Sequence, residues 1–197
     1  MALLEAYSTT PYPLKRVDKI YNFPRLLSEW TRIKKTLEPD HWYRSNQTMV
    51  QYSKYDDDIW TDGCGSLSKR IHKRQKEITT GKEYCIINPL YEGTIFEEII
   101  TDLGGTRARV MVKEEKTAYS HHQDPTSRCH VALETNPDAF FVYPKEQQVF
   151  HIPADGCAYK VDTTRYHTFV NCGPDRIHLV FDDYDKINEE YVNATSI

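Results

Sequence analysis

Three histidines, one carboxylate and one arginine crowd into the stretch from Tyr119 to His130. That is too polar for core and too specific for loop filler. Within it a single residue separates His122 from Asp124, and in extended backbone that spacing puts both side chains on one face. An imidazole beside a carboxylate supplies two ligands of a 2-His-1-carboxylate site, the arrangement that holds a ferrous ion and leaves positions open. The third ligand has to come from another strand, and His151, His167 and His178 are the candidates. His167 lies 45 positions after His122 (167 − 122) and opens the run His167-Thr168-Phe169-Val170-Asn171. Arg176 follows nine positions later (176 − 167), at the head of the next run. An antiparallel return across the turn from Cys172 to Asp175 carries that guanidinium back towards the metal-binding end. Its planar fork pairs bidentately with a carboxylate, and strongly so in a desolvated pocket. Arg128 and His130 share a face by the same period of two. Each of these groups alone has a plainer reading: a surface hydrogen bond for the His-x-Asp pair, a satisfied strand histidine for His167, a rim salt bridge for Arg176.

Groups so spaced need strands to hold them, and the second half of the chain supplies strand patterns. Thr106 to Lys113 alternates Arg107, Arg109 and Met111 against Ala108, Val110 and Val112. Strand-like runs follow at Arg128 to Thr135, Ala139 to Tyr143, Gln148 to Ile152, Cys157 to Val161, His167 to Asn171 and Arg176 to Asp182. Turn residues separate them, among them Asn136-Pro137-Asp138 and Pro153-Ala154-Asp155-Gly156. Many short strands at such intervals predict a mainly β fold with flanking helices, a double-stranded β-helix or cupin-like jelly roll.

The first half reads as support. Leu26, Leu27, Trp30, Ile33 and Leu37 recur at helical spacing and predict an amphipathic helix over Phe23 to Leu37. His41 to Tyr55 is expected to hold one strand. Thr94 as N-cap with Glu97 reaching back predicts a capping box, for a helix that ends at Gly104-Gly105. Residues 1 to 21 show no period and are expected to wrap over the surface. The whole is expected to be a single domain over 1–197, with 1–105 as helical and loop-rich support and 106–184 as the jelly-roll core.

Composition narrows the function. The chain has 197 residues, 39% hydrophobic and 12% aromatic, enough for a real core. A net charge of −4 argues against nucleic acid or an anionic membrane surface as partner. The basic run Lys69 to Lys76 is short, has no interleaved aromatics and reads as a solvated face. Asp56-Asp57-Asp58 lacks the spacing of a calcium loop and reads as a solvated turn. Trp60 to Leu67 is glycine-containing and placed to line a mouth. No apolar run is long enough to span a bilayer. Five scattered cysteines without a C-x-x-C pair suit free thiols in a reducing compartment, and the chain start lacks signal-peptide features. A cytoplasmic protein is expected.

The order His122-x-Asp124, His167, Arg176 resembles the His-x-Asp…His…Arg signature of Fe(II)- and 2-oxoglutarate-dependent oxygenases. More narrowly, His122 to Thr135 and His167 to Phe181 are similar to the aspartyl/asparaginyl β-hydroxylase-like family, which includes free-proline cis-hydroxylases. Arg128-Cys129-His130 matches that family's Arg-x-His element, and the likeness covers roughly residues 92 to 182. The resemblance implies His122, Asp124 and His167 as metal ligands, with Arg128, His130 and Arg176 holding 2-oxoglutarate. It implies Fe(II) as cofactor and hydroxylation of an amino acid, free or as an Asp, Asn or Pro side chain in a peptide. 2-Oxoglutarate would be decarboxylated to succinate as O₂ is consumed. His121 is out of register, His151 and His178 are read as structural, and the spacing of Glu134 fits no triad. Arg107 and Arg109 are placed either to neutralise a substrate carboxylate or to pair with surface acids. The final run Arg176 to Phe181 lacks the Arg-x-Asn-x-Thr-x-Arg finish of nucleic-acid-repair dioxygenases. The contrasting reading is a non-catalytic, cupin-like metal- or ligand-binding module.

Overall fold

The computed structural model describes residues 13–44, 46–66 and 81–184. The basic run Lys69 to Lys76, the first twelve residues and the tail from Asp185 lie outside the described residues.

The alternating runs of the second half become strands β5 (Thr106–Lys113), β6 (Thr117–Ala118), β7 (Ser127–Glu134), β8 (Ala139–Tyr143), β9 (Gln148–His151), β10 (Cys157–Val161), β11 (Thr168–Asn171) and β12 (Arg176–Asp183), preceded by β1 (Leu14–Ile20), β2 (Gln47–Met49), β3 (Gln51–Tyr52) and β4 (Ile86–Ile87). One six-stranded sheet runs β1-β10-β7-β12-β5-β2 and a four-stranded sheet runs β6-β11-β8-β9. From β5 to β12 the chain crosses between these sheets at every step except the β8–β9 hairpin, and the pairings within them are antiparallel. That winding is the double-stranded β-helix. β1 and β2 extend the larger sheet at its two edges.

β1 lies in the stretch 1 to 21, which shows no period and is expected to wrap over the surface. Its sequence Leu-Lys-Arg-Val-Asp-Lys-Ile is exposed at most positions. An edge strand with a wet face shows little apolar alternation, and main-chain pairing with β10 decides it. The segment His41 to Tyr55 holds two short strands in different sheets, β2 and β3, rather than one. β6, only two residues long, has no sequence signal.

Helix α1 (Phe23–Lys34) starts where the Asn22 side chain accepts from the Arg25 N–H at 3.1 Å. It stops before Leu37 because Thr36 turns both its N–H and its hydroxyl to the Ile33 carbonyl, at 2.9 and 2.8 Å. Leu26, Trp30 and Ile33 form its buried stripe. Helix α2 (Ile95–Asp102) begins at the expected place with a different cap. The Thr94 hydroxyl donates back to the Tyr91 carbonyl at 2.6 Å, and Glu97 accepts from the Gly93 N–H at 2.7 Å. The first helical N–H, of Ile95, is capped by Glu29 of α1 at 2.6 Å. The reciprocal box is thus replaced by a bond between helices. α2 ends as Gly104 takes φ 61° and Gly105 donates to the Ile100 carbonyl.

Both helices cover the outer face of the larger sheet. Ala108, Val110, Val131, Leu133, Ile177, Leu179 and Phe181 pack there against Leu26, Trp30, Ile33, Phe96 and Ile99 in one dry core. A second apolar cluster, including Phe141, Tyr143, Val161 and Phe169, fills part of the space between the sheets. The rest of that space is polar.

Candidate metal centre

β12 presents Arg176, His178, Val180 and Asp182 to the interior, β5 presents Arg107, Arg109 and Met111, and β7 presents Arg128 and His130. The same period of two that sends Ile177, Leu179 and Phe181 outward sends these inward. All of these but His178 and Asp182 line a cavity of about 460 Å³ whose mouth holds His122, Asp124 and His167.

The last three are brought together by main-chain pairing. His122 and His167 form an antiparallel bridge, each donating its N–H to the other's carbonyl at 3.0 and 2.9 Å. Directly opposite residues in such a pair turn their side chains to the same face, and the two rings stand 4.6 Å apart. The Asp124 N–H bonds the Thr163 carbonyl at 2.8 Å, and the Gln123 amide bonds the Thr164 carbonyl at 2.8 Å. These bonds lash the loop carrying Asp124 to the loop leading to His167. Ligand-type atoms of His122, Asp124 and His167 consequently all lie within 4.8 Å of one another.

The tautomers follow from the neighbours. His122 Nδ1 lies 2.7 Å from the Ser120 carbonyl and His167 Nδ1 lies 2.9 Å from the Arg165 carbonyl. A carbonyl can only accept, so each Nδ1 carries the proton and each Nε2 keeps its lone pair. Burial holds the His167 imidazole below its usual pKa, only partly offset by the Arg165 carbonyl, so the ring is neutral. Burial alone would raise the Asp124 carboxyl, but Arg128, His122, His167 and Arg109 together hold it below the usual range. Two imidazole lone pairs and one carboxylate form a facial donor set that fits a divalent first-row ion. His122 and Asp124 are half-buried and His167 is buried, so the set is open on one side.

Deeper in, the buried Arg176 lies over the Phe169 ring, 4.4 Å from its centroid, and donates to His130 Nδ1 at 3.3 Å. No ion pair joins it to a carboxylate among the described residues, and its Nε has no hydrogen-bond partner. Burial lowers its pKa to about 9, which leaves it cationic at neutral pH. Burial, then Arg176 and Arg128, push His130 well down, so that it accepts from Arg176 as a neutral ring. Arg128 is engaged differently: it donates to Asp124 Oδ2 at 3.3 Å, to Thr126 at 3.1 Å and to Asp182. Burial works against its charge, and the two carboxylates more than restore it.

All six residues singled out for the metal and co-substrate thus line one cavity. Glu134 stands apart, accepting from the Trp30 indole at 3.1 Å. His151 bonds the Ala139 carbonyl at the edge of the smaller sheet. Among the described residues Arg107 and Arg109 meet no surface acid. Arg107 takes φ 54° where β12 slips register between Val180 and Asp182, and it donates to the carbonyls of Gly63 and Gly65 at 2.8 and 2.6 Å. Their shared acid is Asp182, buried, 3.6 Å from Arg107 and 3.8 Å from Arg109. Sequence reasoning placed Asp182 only as a strand end. Its parity with Arg176 and His178 was the available signal that it points inward.

No family model matches the sequence, and no curated protein does. Among solved structures, the chain is similar to a collagen prolyl hydroxylase of Paramecium bursaria Chlorella virus-1, with TM-score 0.44 and 12% identity over 89% of this chain and 96% of that one. It is similar to a prolyl-4-hydroxylase of Pseudomonas putida, with TM-score 0.43 and 11% identity over 87% and 93%. A nickel complex of the non-heme monooxygenase ThoJ gives TM-score 0.48 and 10% identity over 86% and 72%. No described helix is long and apolar enough to cross a membrane. The five cysteines are free thiols.

Proposed function

We propose that this chain is an Fe(II)- and 2-oxoglutarate-dependent dioxygenase that hydroxylates an unactivated C–H bond of an amino acid, free or as an Asp, Asn or Pro side chain in a peptide. The observation that carries the reading is one cavity holding both a His122–Asp124–His167 donor set and, deeper, a buried Arg176 with no acidic partner among the described residues. A cation left unpaired in a dry site costs free energy until an anion arrives, and a dicarboxylate reaching in from the metal meets that need. Bound there, Fe(II) supplies the redox chemistry by which O₂ and 2-oxoglutarate become succinate, CO₂ and one hydroxyl on the substrate.

The protein's own groups position and shield. The carbonyls of Ser120 and Arg165 keep both imidazoles in the ligating tautomer. Arg128, fixed on its far side by Asp182, keeps the Asp124 carboxylate ionised and aimed. Arg176 takes the distal carboxylate of 2-oxoglutarate with His130 beside it, and Phe141 and Phe169 keep water from that end.

The test is anaerobic titration of the protein with Fe(II) and 2-oxoglutarate, watching for the visible metal-to-ligand charge-transfer band. A saturable band that disappears in Asp124→Ala and Arg176→Ala is expected. Iron binding without such a band would leave the non-catalytic, cupin-like binding module. Absence of metal binding would overturn the enzymatic reading.

A further inference from the structure

The cavity carries more positive charge than the proposed co-substrate neutralises. Among the described residues, four guanidinium groups, of Arg107, Arg109, Arg128 and Arg176, face two carboxylates, of Asp124 and Asp182, a surplus of two (4 − 2). A divalent ion raises the surplus to four, and a dianionic co-substrate returns it to two. Unneutralised charge in a desolvated site is costly, so the complete complex calls for a further anion.

The arginines are unequally provided for. Arg107 is satisfied by two carbonyls and approaches Asp182, while Arg128 holds two carboxylates and a hydroxyl. Arg176 is the seat of the co-substrate in the reading above. Arg109 is left. Its side chain is 4% exposed, its nearest carboxylate oxygen is 3.8 Å away on an Asp182 already bonded to Arg128, and its nearest carbonyl, of Gly63, is at 3.5 Å. Its Nε has no partner among the described residues. Burial lowers its pKa and Arg128 lowers it further, the mark of a cation short of counter-charge. It faces the cavity from β5, directly across from Val180, which in turn lies across from His130. Arg109, Val180 and Tyr119 all line the cavity, and the guanidinium is within the electrostatic reach of Tyr119 and Asp124.

We propose that Arg109 is the substrate-anchoring residue and that it takes a carboxylate, so the substrate is an anion that enters with its acid group turned to β5 and its reacting carbon turned to the metal. This deepens the proposed function and rests on it. The guanidinium fork would pair bidentately with the carboxylate, which fixes orientation as well as charge. It makes Arg176 and Arg109 two separate anion seats on the inner face of one sheet, Arg176 across from Lys113 and Arg109 across from Val180, one for each reactant.

The experiment uses the protein loaded anaerobically with Mn(II) and saturating 2-oxoglutarate, so that binding is read without turnover. Two matched pairs of probes are titrated by calorimetry: N-acetyl-aspartyl amide against N-acetyl-asparaginyl amide, and prolinate against prolinamide. In at least one pair the acid should bind about 30-fold more tightly than the amide, the size of one charge-assisted contact. That preference should fall below about threefold in Arg109→Gln and be partly kept in Arg109→Lys, with 2-oxoglutarate affinity within about threefold of the unaltered protein in both. Equal binding of acid and amide in both pairs, or binding by no probe, would overturn the proposal. So would an Arg109→Gln variant that loses 2-oxoglutarate as severely as Arg176→Gln, since Arg109 would then be part of the co-substrate seat. Failure of the unaltered protein to bind 2-oxoglutarate would remove the proposed function instead, and the acid-to-amide ratio measured on the Mn(II) form would still decide the anion seat.

Discussion

The larger sheet has two faces built from the same strands, equally buried and opposed in polarity. Along β12 the outward residues Ile177, Leu179 and Phe181 sit in dry contact with the helices, while the inward Arg176, His178 and Asp182 are equally buried and charged or polar. β5 repeats the contrast, with Ala108 and Val110 outward and Arg107 and Arg109 inward. The outer face is where folding free energy comes from, at roughly 25 cal/mol per Å² of apolar area removed from water. The inner face opposes folding, because guanidinium groups lose hydration there without full ion pairing. Stability and chemistry are therefore divided by strand parity, and substitutions on the two faces should separate cleanly.

The largest effect should come at the cavity mouth. His167→Ala is expected to abolish iron-dependent formation of succinate, with the fold intact by circular dichroism. His151→Ala, at the far edge of the smaller sheet, should leave that activity unchanged. The reverse outcome would show the ligand assignment to be wrong. Next, Leu179→Ala on the outer face should cost about 2–5 kcal/mol in urea unfolding, yet bind 2-oxoglutarate as the parent does at low denaturant. A weakened co-substrate affinity in that variant would mean the two faces are coupled. Arg176→Gln should do the opposite: 2-oxoglutarate binding weaker by about 10–100-fold, with stability equal to or above the parent's, because an unpaired buried cation has gone.

The smallest effect concerns pH. Burial first, then Arg176, holds both His130 and His178 well below their ordinary value near 6.5. Above that pH the rings are neutral whether folded or not, and their contribution is complete. As pH falls below about 6.5 the unfolded chain takes up protons that the folded chain refuses, so stability declines towards the folded-state values. The thermal midpoint should drop over that range, and His178→Leu should flatten the slope. A midpoint independent of pH between 5 and 7 would show that these rings are not held neutral.

Much of this division can be read directly in the chain. Alternation in Thr106 to Lys113 and Arg176 to Asp182 marks both strands and both faces, because period two is a property of neighbouring residues. His122, Asp124, His167 and Arg176 do line one cavity, but not by the antiparallel return expected across Cys172 to Asp175: β11 and β12 lie in different sheets, and that turn carries the chain from one side of the cavity to the other. β1 and β6 were not legible, since an edge strand and a two-residue strand owe their conformation to a partner far along the chain. The cap of α2 belongs to the same class, with Glu29 arriving from another helix. Asp182 was missed for want of electrostatics: nothing local announces that one carboxylate is shared by Arg107, Arg109 and Arg128.

The reciprocal main-chain bonds between His122 and His167 have a further consequence, for the traffic of metal through the site. The spacing of the donor atoms is set by ladder hydrogen bonds and carbonyl-fixed rings, so the fold itself would hold the set in place, and binding an ion would require no refolding. Such a protein differs from a zinc finger, where the ion holds the chain in shape. A chelator should strip it to a folded apoprotein that reloads readily. Which divalent ion it would take then follows the order of intrinsic affinities and the ions on offer, so that supply rather than shape would decide what the site holds.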